Sequence, residues 1–155
     1  MIGYFLALAE GADPERTATI CVFHDLAEAR TGDIPSVGKH YLAAASPEDV
    51  TSDQSQGLPG QFRSALKGLI DMTHGSGSPE AACARDADKL ECLLQAREYQ
   101  REGHPDVQPW IDSMVAAVRR ATGKAMASAA LDADPGEWWR DMASSYGAKL
   151  ADWEP

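Results

Sequence analysis

The sequence predicts an all-α protein, a single-domain bundle of about six to seven helices, and three features carry that reading. Alanine and leucine recur at helical spacing along most of the chain. No alternating run of β-branched and aromatic residues bounded by hairpin turns is present. The length of 155 residues, 44% of them hydrophobic, suffices for one core and falls short of two.

Each element follows from local signals. Met1 to Glu10 reads as the end of a helix closed by Gly11. The next helix starts with Asp13 as N-cap and Pro14 at its first position, turns Ile20, Phe23 and Leu26 inward, and runs to about Gly32. From Gly32 to about Leu42 two glycines and a proline predict an ordered loop. Ser46-Pro47-Glu48 is a further start signal, while Thr51 to Gly60 is polar and broken and is expected to be mobile. A helix over Gln61 to Thr73 is ended by His74-Gly75-Ser76-Gly77. Ser78-Pro79-Glu80 opens the longest helix, which reaches Glu102 before Gly103. Val107 to Ala121, Lys124 to Leu131 and Pro135 to Leu150 follow, the last capped by Asp134. Without repeats or a long linker, 1–155 reads as one domain, with the motifs in 1–103 and extra helices in 104–155.

Charge narrows the function. With 24 acidic against 14 basic residues the formal charge is -10, a field that repels nucleic acid and anionic membranes. A small phosphorylated substrate then needs a metal ion or a local cluster of Lys and Arg. No apolar stretch approaches the roughly 18 residues of a membrane span, and Met1 to Ala9 has neither a basic flank nor a cleavage site, so a cytoplasmic protein is expected. Cys21, Cys83 and Cys92 show no CxxC spacing and suit buried thiols in a reducing compartment.

His24, Asp25 and Glu28 stand together in Phe-His-Asp-Leu-Ala-Glu-Ala. On a continuous helix His24 and Glu28 share a face, and Asp25 lies about 100° round the axis. An isolated His/Asp pair is more often an exposed helix end than a site. A second acidic group, Arg85 to Glu91, sits in the long helix. Its apolar stripe runs through Cys83, Ala87, Leu90 and Leu94, with Leu93 beside it, and Asp88 borders the stripe. A partly buried carboxylate needs a cation. A metal shared with His24 and Asp25 would supply one, and so would a salt bridge from Asp86 or Asp88 to a nearby Lys or Arg.

The run His24-Asp25-Leu-Ala-Glu28-Ala-Arg-Thr-Gly32-Asp33-Ile34-Pro35, followed by Ser78-Pro79-Glu80-Ala and Asp86-Ala-Asp88-Lys89-Leu90-Glu91, resembles the HD-domain phosphohydrolases. The branch it is most similar to is the YfbR-like and HDDC-like 5'-deoxynucleotidases, over roughly Met1 to Gly103. The resemblance implies that His24 and Asp25 ligate one divalent metal ion (Mn, Co, Zn or Mg), with Asp88 as the distal ligand. Glu28 would be the acid or base beside the water that the metal activates. Asp33 would lie at the substrate, near the sugar or the attacking water, and Lys89 is a weaker candidate for substrate binding. Imidazole and carboxylate together suit a hard to borderline ion, which also offsets the negative field.

Family members carry a further metal-binding histidine on the preceding helix, with an arginine and a tryptophan that contact nucleotide. Met1 to Ala9 aligns with the end of that helix, which would put the histidine roughly two turns upstream of Met1. An internal methionine taken as the start, or a natural truncation, would account for this. His40 follows Lys39 in the loop after Asp33 and reads first as an exposed histidine. His74 and His104 read as helix-end residues, and Trp110, Trp138, Trp139 and Trp153 as core or interface aromatics. Arg30, Lys39, Arg85 and Lys89 are the basic residues nearest the motifs, and the sequence does not choose among them for a phosphate.

The leading expectation is a phosphomonoesterase that hydrolyses (deoxy)nucleoside 5'-monophosphates, with Glu28 assisting proton transfer. The alternative is a degenerate HD protein that binds a nucleotide or a partner without turnover. A homodimer formed through the helix Glu137-Trp-Trp-Arg-Asp-Met-Ala-Ser-Ser-Tyr-Gly-Ala-Lys-Leu150 is compatible with either.

Overall fold

The computed structural model describes residues 1–35, 37–75 and 77–151, so Trp153 lies outside the described residues. Among them the elements are helices and short 3-10 turns, as an all-α chain requires. The chain divides into two compact units, 1–87 and 88–155, the division falling inside one long helix.

In the first unit, α1 (Ile2–Glu10) ends at Gly11, whose φ of 71° lets its N–H and that of Ala12 turn back on the helix. α2 (Pro14–Phe23) begins as its sequence predicts: the Arg16 N–H donates to Asp13 Oδ1 at 3.0 Å, and Pro14 follows the cap. α1 packs against α2. Gly3 permits the approach, since a Cβ there would stand 2.6 Å from Cys21 Sγ. Leu6, Ala7, Thr17 and Ile20 are fully buried, and Thr17 Oγ1 satisfies itself on the Asp13 carbonyl at 2.8 Å. Burial of a side chain such as Leu6 or Ile20 contributes about 1.5–3 kcal/mol each.

Two expectations change here. The helix expected to reach Gly32 ends at Phe23, and a tighter turn leads into α3 (Glu28–Thr31). The segment expected to be mobile from Thr51 is partly helical: α4 (Pro47–Gln54), capped by Ser46, carries Thr51 on a buried face, with Ser55 one turn on. These small side chains, four residues apart, let α4 lie against α5 (Gly60–Gly75), which also packs on α2. α6 (Pro79–Arg101) starts at the cap Ser78, whose Oγ accepts from the Ala81 N–H at 3.1 Å.

The second unit holds the rest of α6 with α7 (Gln108–Ala117), α8 (Ala121–Asp132) and α9 (Glu137–Ala151). The buried stripe of α6 is completed by Leu90 and Leu93, while Leu94, expected inside, is 41% exposed. α7 stops short of the expected Ala121 because Val118 turns extended (ψ 129°) and buries its side chain. Arg97 reaches the carbonyls of Ala130, Leu131 and Ala133, placing a cation at the C-terminal end of α8. Asp134 accepts from the Gly136 N–H at 2.9 Å just before α9 and pairs with Arg101 and Arg140. Trp110, Trp138 and Trp139 are all more than half exposed and so are not core residues. Among the described residues Cys21, Cys83 and Cys92 form no disulfide, and only Cys83 is buried as expected, Cys21 and Cys92 being half-buried. No helix among the described residues is long and apolar enough to cross a membrane.

Candidate active site

The hydrogen-bond pattern changes where His24 begins. His24 N–H still donates to Ile20 O at 2.9 Å, the last α-helical bond of α2. Beyond it, Leu26 donates to Phe23, Glu28 to Asp25, Ala29 to Leu26 and Arg30 to Ala27, all with i to i+3 spacing. From His24 to Ala27 the backbone is a turn closed by three-residue bonds, before α-helical bonding resumes in α3 with Thr31 to Ala27 and Gly32 to Glu28, and residues three apart across such a short bond nearly eclipse. Asp25 and Glu28 therefore share a side. The continuous helix expected from the sequence would instead have aligned His24 with Glu28.

The His24 ring helps to set this turn. Its Nδ1 lies 2.8 Å from the Cys21 carbonyl, the acceptor that a continuing helix would offer to the Asp25 N–H. A carbonyl only accepts, so Nδ1 carries the proton and the lone pair of a neutral ring falls on Nε2. That Nε2 is buried and stands 2.9 Å from Asp25 Oδ2. A lone pair and a carboxylate oxygen repel at this distance unless a proton or a metal cation lies with them. Neutral imidazole with an adjacent carboxylate is a donor set for a divalent ion, and the Nδ1 bond supplies the outer support that orients such a ligand. Among the described residues no group of three His, Cys, Asp or Glu side chains is arranged to hold a metal.

Glu28 and Asp33 join the pair on one segment. Gly32 closes α3 with φ 72°, a conformation that L side chains rarely adopt, and donates to Glu28 O at 2.8 Å, so Asp33 leaves directly from the end of that turn. Burial, then the charges of Asp25 and Asp33, raise the Glu28 carboxyl above the usual glutamate range, with Lys39 and His24 opposing. A raised glutamate holds its proton closer to neutral pH, which suits proton transfer to a leaving oxygen.

Support from α4 was invisible in the sequence. Gln54 Nε2 donates to the Leu26 carbonyl at 3.1 Å, inside the tight turn, and Arg30 pairs with Asp53 at 3.3 Å. No local signal links residues so far apart within a polar stretch.

Asp88 belongs to the second unit, where its Oδ2 lies 2.7 Å from Lys89 Nζ. The ion pair that the sequence left open is thus present, with both side chains more than a third exposed. Such a pair is worth about 0–1 kcal/mol and yields readily to another partner. The buried acid of this stretch is Asp86, at 3% exposure. His40 is exposed on a 3-10 turn. A cavity of about 600 Å³ beside α4 and α5 is lined by residues such as Thr51, Arg63 and Lys67 and takes in none of the motif residues.

The HD domain family model matches residues 1–130, beyond the roughly 103 residues the motifs cover. A 5'-deoxynucleotidase of Erwinia tasmaniensis is 33% identical over 116 residues, 67% of this chain and 58% of that protein. The 5'-deoxynucleotidase hdd1 of Schizosaccharomyces pombe is 32% identical over 94 residues, 57% and 48% of the two chains. The 5'-deoxynucleotidase HDDC2 of Homo sapiens is 30% identical over 96 residues, 58% and 45% of the two. The chain spans about half the length of the curated relatives it matches. No solved structure matches it.

Proposed function

The chain belongs to the HD-domain family, and from that premise we propose that it is a metal-dependent phosphomonoesterase acting on (deoxy)nucleoside 5'-monophosphates. The observation that carries the reading is the His24-Asp25 pair, a buried imidazole Nε2 set 2.9 Å from a carboxylate oxygen. The names of the relatives, all 5'-deoxynucleotidases, support the substrate class.

His24 and Asp25 are proposed as ligands of one divalent ion, with Asp88 as the distal ligand by family resemblance. When bound, such an ion neutralises phosphate charge and makes water a better nucleophile at neutral pH. The chain's own residues do the rest. The Cys21 carbonyl holds the His24 tautomer. Glu28, with its raised proton affinity, delivers a proton to the departing sugar oxygen. Asp33, at the exit of the Gly32 turn, orients the sugar. A homodimer is proposed as the assembly, supported by the exposed Phe5 and Leu8 of α1 and Trp138 and Trp139 of α9. A cytoplasmic location is proposed from the odd number and spacing of the cysteines, which suit no disulfide framework.

The test is phosphate release from a panel of deoxynucleoside and ribonucleoside 5'-monophosphates, with added divalent ions and then with a chelator. Release that the chelator stops and the ion restores is the expected result. Ion-dependent nucleotide binding without any release would make this an HD protein that binds without turnover.

A further inference from the structure

We infer that Lys39 is the phosphate-anchoring cation of this site, its ammonium taking an anionic oxygen of the substrate's phosphate. The inference deepens the phosphomonoesterase reading and rests on it.

Asp25, Glu28 and Asp33 are gathered on one segment of a chain whose formal charge is -10, and a phosphate dianion is repelled by all of them. A metal ion offsets part of this. A second, fixed cation would hold the phosphate in one orientation.

Four basic residues, Arg30, Lys39, Arg85 and Lys89, stand nearest the motifs, and the structure separates them. Arg30 Nη1 lies 3.3 Å from Asp53 Oδ2. Arg85 Nη1 donates to the Thr73 carbonyl at 3.4 Å. Lys89 Nζ is 2.7 Å from Asp88 Oδ2. Lys39 is exposed and has no ion pair or side-chain hydrogen bond among the described residues.

Its backbone, by contrast, is held. Lys39 sits in the 3-10 turn Gly38–His40, and the N–H groups of Gly38 and Lys39 both donate to Pro35 O, at 2.7 and 3.2 Å. Pro35 follows Asp33 by two residues, so the turn is tied to the segment that leaves the Gly32 corner. The ammonium lies close enough to the Glu28 carboxylate to favour its charged form. A positive charge on a flexible stem, mounted on a turn tied to the segment that carries Asp33, suits a phosphate better than a neutral part of the ligand.

A lysine that merely screened Glu28 would alter the pH profile of turnover and leave phosphate affinity unchanged. The test therefore measures binding of inorganic phosphate to the whole chain with its divalent ion, by calorimetry, for wild type, Lys39→Gln and Lys39→Arg. Lys39→Gln is expected to weaken phosphate binding on the order of tenfold, as loss of one charge-assisted contact does. Lys39→Arg should restore most of it, and binding of the phosphate-free nucleoside should not change. Equal phosphate affinity in wild type and Lys39→Gln, or no phosphate binding by wild type, would overturn the inference. Phosphate binding through Lys39 with no hydrolysis of any monophosphate would sustain Lys39 as the anchor and remove the phosphomonoesterase reading. Hydrolysis with Lys39→Gln unaltered in affinity would do the reverse.

Discussion

Glu28 is held in a position that works against stability. Burial and the neighbouring Asp25 and Asp33 raise its carboxyl, so the folded state takes up a proton more readily than the unfolded chain. For an acid shifted upward, the destabilisation is fully present above the folded value and disappears as pH falls below the unfolded one. Glu28→Gln is therefore expected to melt at a higher temperature than wild type at neutral pH, with the gap closing on acidification. The same variant should keep its metal and lose turnover, and an unimpaired rate would remove Glu28 from proton transfer. Asp134 shows the opposite sign. The Gly136 N–H, then Arg140 and Arg101, hold its carboxyl below the usual aspartate range. Its stabilising contribution is present above the unfolded value and is lost as pH falls through the lowered one. Asp134→Asn should accordingly lower the melting temperature at neutral pH and match wild type in strong acid. Thermal melts across pH check both signs.

At the scale of elements, local chemistry was legible and pitch was not. Asp13-Pro14, Ser46-Pro47 and Ser78-Pro79 each mark a helix start because a side-chain oxygen and a fixed φ act within three residues. The interruption of the α-helix by a turn at His24 has no such marker. It comes from the His24 ring on the Cys21 carbonyl and from Gln54, in a different helix, on the Leu26 carbonyl. The residues of the candidate site could be listed from their motifs, yet their alignment, Asp25 with Glu28, required the structure. The stop at Val118 was hidden for a related reason: neither glycine nor proline marks it, and burial of Val118 accompanies the change of direction. Gln54→Ala tests the buttress. Loss of one hydrogen bond should cost about 0.5–1.5 kcal/mol in denaturant unfolding. If the bond also positions the turn, turnover should fall by more than the loss of folded protein explains. A rate that merely tracks the folded fraction would make Gln54 a packing residue alone.

For the molecule as a whole, fold class followed from helical periodicity and the absence of strand signals, because both are properties of sequence neighbours. What covers the exposed side chains could not follow from the same source. Tyr4, Phe5 and Leu8 recur at helical spacing, as a core stripe would, yet all three are exposed on α1, whose buried side is Gly3, Leu6 and Ala7. Periodicity reports an apolar face without naming its partner. The two compact units each bury their own residues, Leu6 and Ile20 in one and Leu93 and Ile111 in the other. The proposed metal centre stands on the His24-Asp25 pair. Elemental analysis of the dialysed protein tests it most directly, on wild type, Asp25→Ala and Asp88→Ala, with circular dichroism confirming that each remains helical. Wild type should retain about one divalent ion per chain and both variants should lose it on dialysis, since each lacks one of the ligating carboxylates. Metal retained by Asp25→Ala, or none in wild type supplied with divalent ions, would contradict the account.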